Sequence, residues 1–208
     1  MAITETSPAS TAVDPTTRIA DPGPLGLAAF AATTFALSSF NAGLLNEKLE
    51  LVVLPLALFY GGLAQLLAGM WEFRKGNTFG ATAFGSYGAF WLSFAFLVWF
   101  FIPKLEASGV GTADVGKAVG LYLLVWTIFT GYMLIASLRT NTALVAVFLF
   151  LFLTFLLLTI GDLGGSDIAG KIGGWLGLLT AVAAWYASAA VVTNATAKQT
   201  VLPVGPRS

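Results

Sequence analysis

Residues 142–160 read TALVAVFLFLFLTFLLLTI, an unbroken run without a single charge. A bilayer core of about 30 Å needs about 20 helical residues at about 1.5 Å rise each, so this run predicts a membrane-spanning helix. Runs of the same kind lie on both sides of it, from Leu25 to Leu45, Leu51 to Phe73, Gly80 to Ile102, Lys117 to Leu138 and Gly173 to Thr193. Together they predict an all-α, polytopic membrane protein whose six transmembrane helices form a bundle.

Composition agrees. With 57% hydrophobic and 10% charged residues, the 208-residue chain has too little polar surface to clothe a soluble globule. Its mean hydropathy is +0.85. Ten basic residues balance ten acidic ones, so nothing points to nucleic acid or to an acidic protein partner, and membrane lipid is the expected surrounding. Cysteine and histidine are both absent, which removes disulfides, thiolate nucleophiles, the imidazole base and the usual metal ligands. No cofactor or metal is expected, and an integral-membrane enzyme is the weakest functional class.

Three segments follow. Residues 1–21 are rich in Thr, Ala, Ser and Pro, lack the basic start and apolar middle of a signal peptide, and read as a flexible cytoplasmic tail. Residues 22–193 hold the spans, and residues 194–208 form a second cytoplasmic tail. Arg18, Arg74, Lys75, Arg139, Lys198 and Arg207 fall on one side of the membrane, and Lys48, Lys104, Lys117 and Lys171 on the other. The richer side marks the cytoplasm, so both termini are expected there.

Lipid tails supply no hydrophobic drive between helices, so small residues four apart are expected to seat helices closely. Ala64 and Ala68, Gly76 and Gly80, Gly85 and Ala89, Gly116 and Gly120, Gly170 and Gly174, and Gly173 and Gly177 fit this. Asp21-Pro22-Gly23-Pro24-Leu25-Gly26 precedes the first span and Lys75-Gly76-Asn77-Thr78-Phe79-Gly80 the third. These segments read either as ordinary helix starts or as N-termini whose free N–H groups attract an anion. Pro55 is tolerated one turn into the second span, and Pro103 is expected to end the third.

Inside the spans the polar residues are sparse and neutral. Phe30, Thr34, Leu37 and Asn41 share a face of the first helix; Gly61, Gln65, Ala68, Gly69 and Glu72 of the second; Tyr87, Trp91 and Phe94 of the third; and Leu151, Phe155, Leu158 and Asp162 of the fifth. An amide facing lipid costs several kcal/mol, so Asn41 and Gln65 face protein or water. Two readings fit them: a conduit, or contacts satisfied within the bundle. Glu72 is either one half of an interfacial ion pair with Arg74 or Lys75, or a proton-coupling group. Trp71, Trp99 and Trp175 read as interface anchors.

Asp21-Pro22-Gly23-Pro24-Leu25-Gly26-Leu27 resembles the NPAPLGL signature of the acetate uptake transporter family, which includes the succinate-acetate permeases. Thr33-Thr34, Phe40-Asn41, Phe59-Tyr60-Gly61-Gly62-Leu63-Ala64-Gln65 with Gly69 and Glu72, and Gly76-Asn77-Thr78-Phe79-Gly80 resemble the family's pattern too. So do Ser86-Tyr87-Gly88-Ala89-Phe90-Trp91 and the tail Thr200-Val201-Leu202-Pro203-Val204-Gly205. The likeness runs from Asp21 almost to the end of the chain. It implies a protomer with its own central pathway, assembly into a homo-hexamer in the plasma membrane, and transport of acetate and related short monocarboxylates, with succinate in some members.

The resemblance also implies a constriction at Phe30, Tyr87 and Leu151. Counted from the span starts, these residues lie roughly 7, 11 and 13 Å deep, close enough to share a level. Thr33, Thr34, Asn41, Gln65, Asn77, Thr78 and Trp91 are the expected substrate-binding residues, and Glu72 the candidate for proton coupling. Asp21 stands where the family commonly has Asn, and Gly23 where it has Ala. The expected mechanism is a relay in which Asn41, Thr34, Gln65 and the Tyr87 hydroxyl donate in turn to the carboxylate while its methyl group passes Phe30 and Leu151. A channel for small neutral solutes such as urea or amides would use similar groups, and a non-transporting scaffold or sensor would use them only for packing.

Overall fold

The computed structural model describes residues 19–207, so most of the proposed N-terminal tail, with Arg18, lies outside the described residues. Six helices are long and apolar enough to cross a membrane: α1 Gly23–Asn41, α2 Glu47–Lys75, α3 Thr78–Ala107, α4 Thr112–Ser137, α5 Thr142–Gly164 and α6 Asp167–Ala197. Among the described residues there is no strand. The protein is a multi-pass helical membrane protein.

Local chemistry sets the helix ends. Pro22 and Pro24 open α1, where the missing N–H costs nothing. The Asn77 side chain accepts from the Gly80 N–H at 3.1 Å to cap α3, and that of Asn141 accepts from the Leu144 N–H at 2.9 Å to cap α5. Gly76, at φ 77°, ends α2 in the left-handed conformation that side-chain-bearing residues avoid.

Two helices carry wide π-helical stretches, Leu56–Ala64 just after Pro55 and Leu97–Phe101 just before Pro103. The second corrects the expectation that Pro103 ends the third helix. The π turn displaces the carbonyls that the proline ring would strike, and α-helix resumes from Ile102 to Ala107.

The helices close into a ring in chain order, α6 returning to α1. Glycine governs several of the contacts. A Cβ on Gly69 of α2 would stand 2.5 Å from the Gly85 nitrogen of α3, and one on Gly88 would stand 2.6 Å from the Leu66 nitrogen. Gly174 of α6 lies against Ala42 at the end of α1, and Gly177 against Ser38. The α3–α4 seam differs, because there the backbones stand well apart and side chains fill the gap. Phe90, Tyr122 and Trp126 pack ring on ring across it, the Ser93 and Tyr122 hydroxyls meet at 2.8 Å, and Tyr122 donates to the Phe90 carbonyl at 3.1 Å.

After Ala197 the chain turns back rather than trailing away. Asn194 accepts from the N–H groups of Val201 and Leu202 and donates to the Leu202 carbonyl. The Tyr186 hydroxyl donates to the Pro203 carbonyl at 2.6 Å. Thr142 and Ala143, at the start of α5, donate backbone N–H groups to the carbonyls of Gly205 and Val204. The tail thereby satisfies donors that every helix N-terminus leaves free.

Candidate functional site: two cavities facing a shared aromatic waist

Two cavities enter the bundle from opposite ends. The first, about 190 Å³, opens beside the starts of α1, α3 and α5 and is lined by Asp21, Gln65, Glu72, Lys75, Asn77, Tyr87, Asn141, Phe148 and Val204, among others. The second, about 890 Å³, opens at the other end and reaches inward past Glu47, Glu50, Asp162 and Lys171 to Asn41, Ser38, Thr34, Trp91 and Phe94. Phe30 and Leu151 line both cavities and so stand between them.

Tyr87 completes this waist on the side of the first cavity, its ring centroid 5.6 Å from that of Phe30. All three side chains are buried. Counted from the observed starts of α1, α3 and α5, they lie about 10, 13 and 13 Å deep, a tighter agreement than the sequence spans give because α1 and α3 each begin two residues earlier. The face Phe30, Thr34, Leu37 and Asn41 and the face Leu151, Phe155, Leu158 and Asp162 both line the second cavity throughout.

Around the waist, three buried polar atoms have no hydrogen-bond partner among the described residues: Thr34 Oγ1, Gln65 Oε1 and Trp91 Nε1. Thr34 and Trp91 border the second cavity, Gln65 the first. Buried polar groups are nearly always paired, so such a set flanking a waist suits a polar visitor. The Trp91 N–H and Thr34 O–H offer donors, and the Gln65 amide offers both a donor and an acceptor.

The other expected binding residues are placed differently. Thr33 lies in the α1–α2 contact, where its hydroxyl donates to the Ala29 carbonyl at 3.0 Å and a Cβ on Gly61 would meet it. Neither Thr33 nor Thr78 lines either cavity. Asn77 lines the first cavity, but it is occupied, since its Oδ1 caps α3 and its Nδ2 donates to Glu72 Oε2 at 2.9 Å. The Tyr87 hydroxyl lies 2.9 Å from Thr130 Oγ1, with either able to donate, so its proton is free for the expected relay only when Thr130 is the donor.

Glu72 is 1% exposed and, among the described residues, forms no ion pair. Lys75 instead reaches Asp21 at 2.8 Å. Asp21 also accepts from the Gly23 N–H at 2.9 Å, which ties the start of α1 to the end of α2. The sequence reading placed no site residue on α4, although Tyr122, Trp126 and Thr130 recur every four residues and so share a face. It also missed Phe148, one turn before Leu151, and Val204 at the first mouth.

A ring of helices with a blind cavity at each end and one shared waist defines the class: a pore-shaped multi-pass membrane protein. Comparison with known proteins agrees. The family model described as GPR1/FUN34/yaaH family matches residues 4–207, and the chain belongs to this family.

Acetate permease A of Emericella nidulans is 44% identical over 197 residues, which cover 90% of this chain and 66% of that protein. The succinate-acetate/proton symporter SatP of Escherichia coli is 40% identical over 189 residues, covering 91% of this chain and 97% of SatP. The solved structure of the bacterial acetate channel SatP superposes with a TM-score of 0.82 at 39% identity, covering 90% of this chain and all of that one. The chain spans less than two thirds of the length of the fungal relatives it matches.

Proposed function

We propose that the protein carries acetate and related short monocarboxylates, with succinate as a further candidate, across the plasma membrane through a passage in each protomer. The observation that carries this reading is the pair of opposed cavities separated by Phe30 and Leu151, with Tyr87 beside them and unpartnered polar atoms on either side. The names of the relatives support the choice of solute.

A charge at a helix centre costs about 2.5–3.5 kcal/mol on insertion scales, and a hydrogen bond to a charged group returns about 1.5–3 kcal/mol. Two or three neutral donors therefore roughly offset the cost without trapping the anion. Trp91, Thr34 and Asn41 serve on the side of the second cavity and Gln65 on the side of the first, while the apolar end of the solute passes Phe30, Tyr87 and Leu151. Selection comes from size and from dewetting at the waist, which favours a small acid with an apolar tail over chloride or a bulky solute.

Glu72, buried beside the first cavity with the Asn77 amide as its one hydrogen-bond partner among the described residues, is the group assigned to proton coupling. Residues 22–193 act as one transport domain, both termini face the cytoplasm on the balance of basic residues, and six protomers assemble.

Flux of radiolabelled acetate into proteoliposomes containing only this protein tests the reading, with and without a pH gradient. Uptake that responds to the gradient or to membrane potential supports it. Flux of urea or amides indifferent to both would assign a neutral-solute channel, and no flux would leave a scaffold.

A further inference from the structure

Thr130 of α4 is fully buried, and its hydroxyl lies 2.9 Å from the phenolic oxygen of Tyr87 on α3, with either hydroxyl able to donate. Four of the other buried threonines use their hydroxyls at home, while Thr159 meets the Thr127 hydroxyl across the α4–α5 contact at 3.0 Å and Thr34 has no partner among the described residues. Thr33, Thr127, Thr154 and Thr180 each donate to the carbonyl four residues earlier in their own helix. That local bond satisfies a hydroxyl in a membrane without a partner helix. Thr130 instead spends its hydroxyl across the α3–α4 seam, where side chains rather than backbones join the two helices.

The ring of Tyr87 is held by packing on several sides. Phe30 lies 5.6 Å away on the side of the passage, Phe129 stands edge-on at 5.2 Å, and Trp126 and Phe148 each lie at 6.2 Å. Three of these contacts are tilted and one edge-on, and aromatic pairs keep contact over a range of tilts and offsets, so such packing limits the ring less sharply than a directional bond at its tip. A tyrosine fixed at its hydroxyl presents a constant edge to the waist.

We propose that Thr130 is a positioning residue: its hydroxyl anchors Tyr87 and so sets the aperture beside Phe30, and with it the largest acid the passage admits. The proposal rests on the reading that Phe30, Tyr87 and Leu151 bound a solute passage. Replacing Thr130 by Val keeps its shape and removes its hydroxyl, while Ser keeps the hydroxyl and removes a methyl.

The test measures competing uptake of acetate and butyrate in the same proteoliposomes, so that the ratio does not depend on how much protein folds. Thr130→Val should lower the acetate-to-butyrate ratio about twofold to tenfold, the factor that one hydrogen bond commands, and Thr130→Ser should keep the ratio of the unsubstituted protein. Tyr87→Phe combined with Thr130→Val should shift the ratio no further than Thr130→Val alone.

An unchanged ratio in Thr130→Val, or an equal fall in Thr130→Ser, overturns the anchoring role. Tyr87→Ala separates the two levels. If it shifts the ratio while Thr130→Val does not, only the positioning inference fails; if neither does, the waist reading fails with it.

Discussion

Phe30→Ala is the sharpest test of the waist. Phe30 is 4% exposed, its ring touches that of Tyr87, and it borders both the 190 Å³ and the 890 Å³ cavities, so removing the ring should widen the waist between them. Rejection of a single methylene by a fitted site is worth about 1–3 kcal/mol, or about 10- to 200-fold. Butyrate exceeds acetate by two methylenes, so the intact waist should favour acetate by at least about tenfold, and Phe30→Ala should bring the ratio to within about threefold of unity.

Truncating a core Phe costs about 3–5 kcal/mol in a closed interior, and less where a cavity already borders it, so absolute rates mix folding with permeation. The ratio from both labels in one vesicle preparation does not. Phe96→Ala is the control, because Phe96 is of the same size, 49% exposed and outside both linings. An unchanged ratio in Phe30→Ala, or the same shift in Phe96→Ala, would refute the reasoning.

Other consequences can be measured independently. Gly69→Ala pushes a methyl to 2.5 Å from the α3 backbone at Gly85 and should lower stability by about 1–3 kcal/mol, read as a fall in melting temperature in detergent. Gly170→Ala, with nothing within 4 Å of the new methyl, should hold or raise it by comparison. Glu72→Gln should flatten the pH profile of acetate uptake; a profile identical to that of the unsubstituted protein removes Glu72 from the proton route. Asn194→Ala breaks three bonds to the returning tail, and hydrogen exchange at Val201 and Leu202 should quicken, whereas unchanged exchange would mean the tail is held elsewhere. Asp21→Asn removes the ion pair with Lys75, whose side chains are 37% and 42% exposed, and should change stability by less than about 1 kcal/mol.

The spans were legible in the sequence because membrane insertion is a local property. Nineteen uncharged residues from Thr142 to Ile160 need a helix to satisfy their backbone wherever the rest of the chain goes. The shared face of Phe30, Thr34, Leu37 and Asn41 followed from helical period alone, and all four side chains line one cavity. Pro103 does not end its helix because the turn before it widens into a π turn that moves aside the carbonyls its ring would strike.

What the chain determined by itself was therefore the number of helices, the faces they turn inward and the polar groups those faces carry. Which of those groups are free was decided by tertiary structure. Asn77 and Thr33 are as polar in sequence as Thr34 and Trp91, yet Asn77 is consumed by a helix cap and by Glu72, and Thr33 by its own helix beside Gly61. The meeting of Phe30, Tyr87 and Leu151, and the bond from Tyr87 to Thr130, join residues far apart in sequence. Hydrogen-bond capacity is a property of a residue, whereas vacancy depends on its neighbours, and neighbours on other helices are set only when the ring closes.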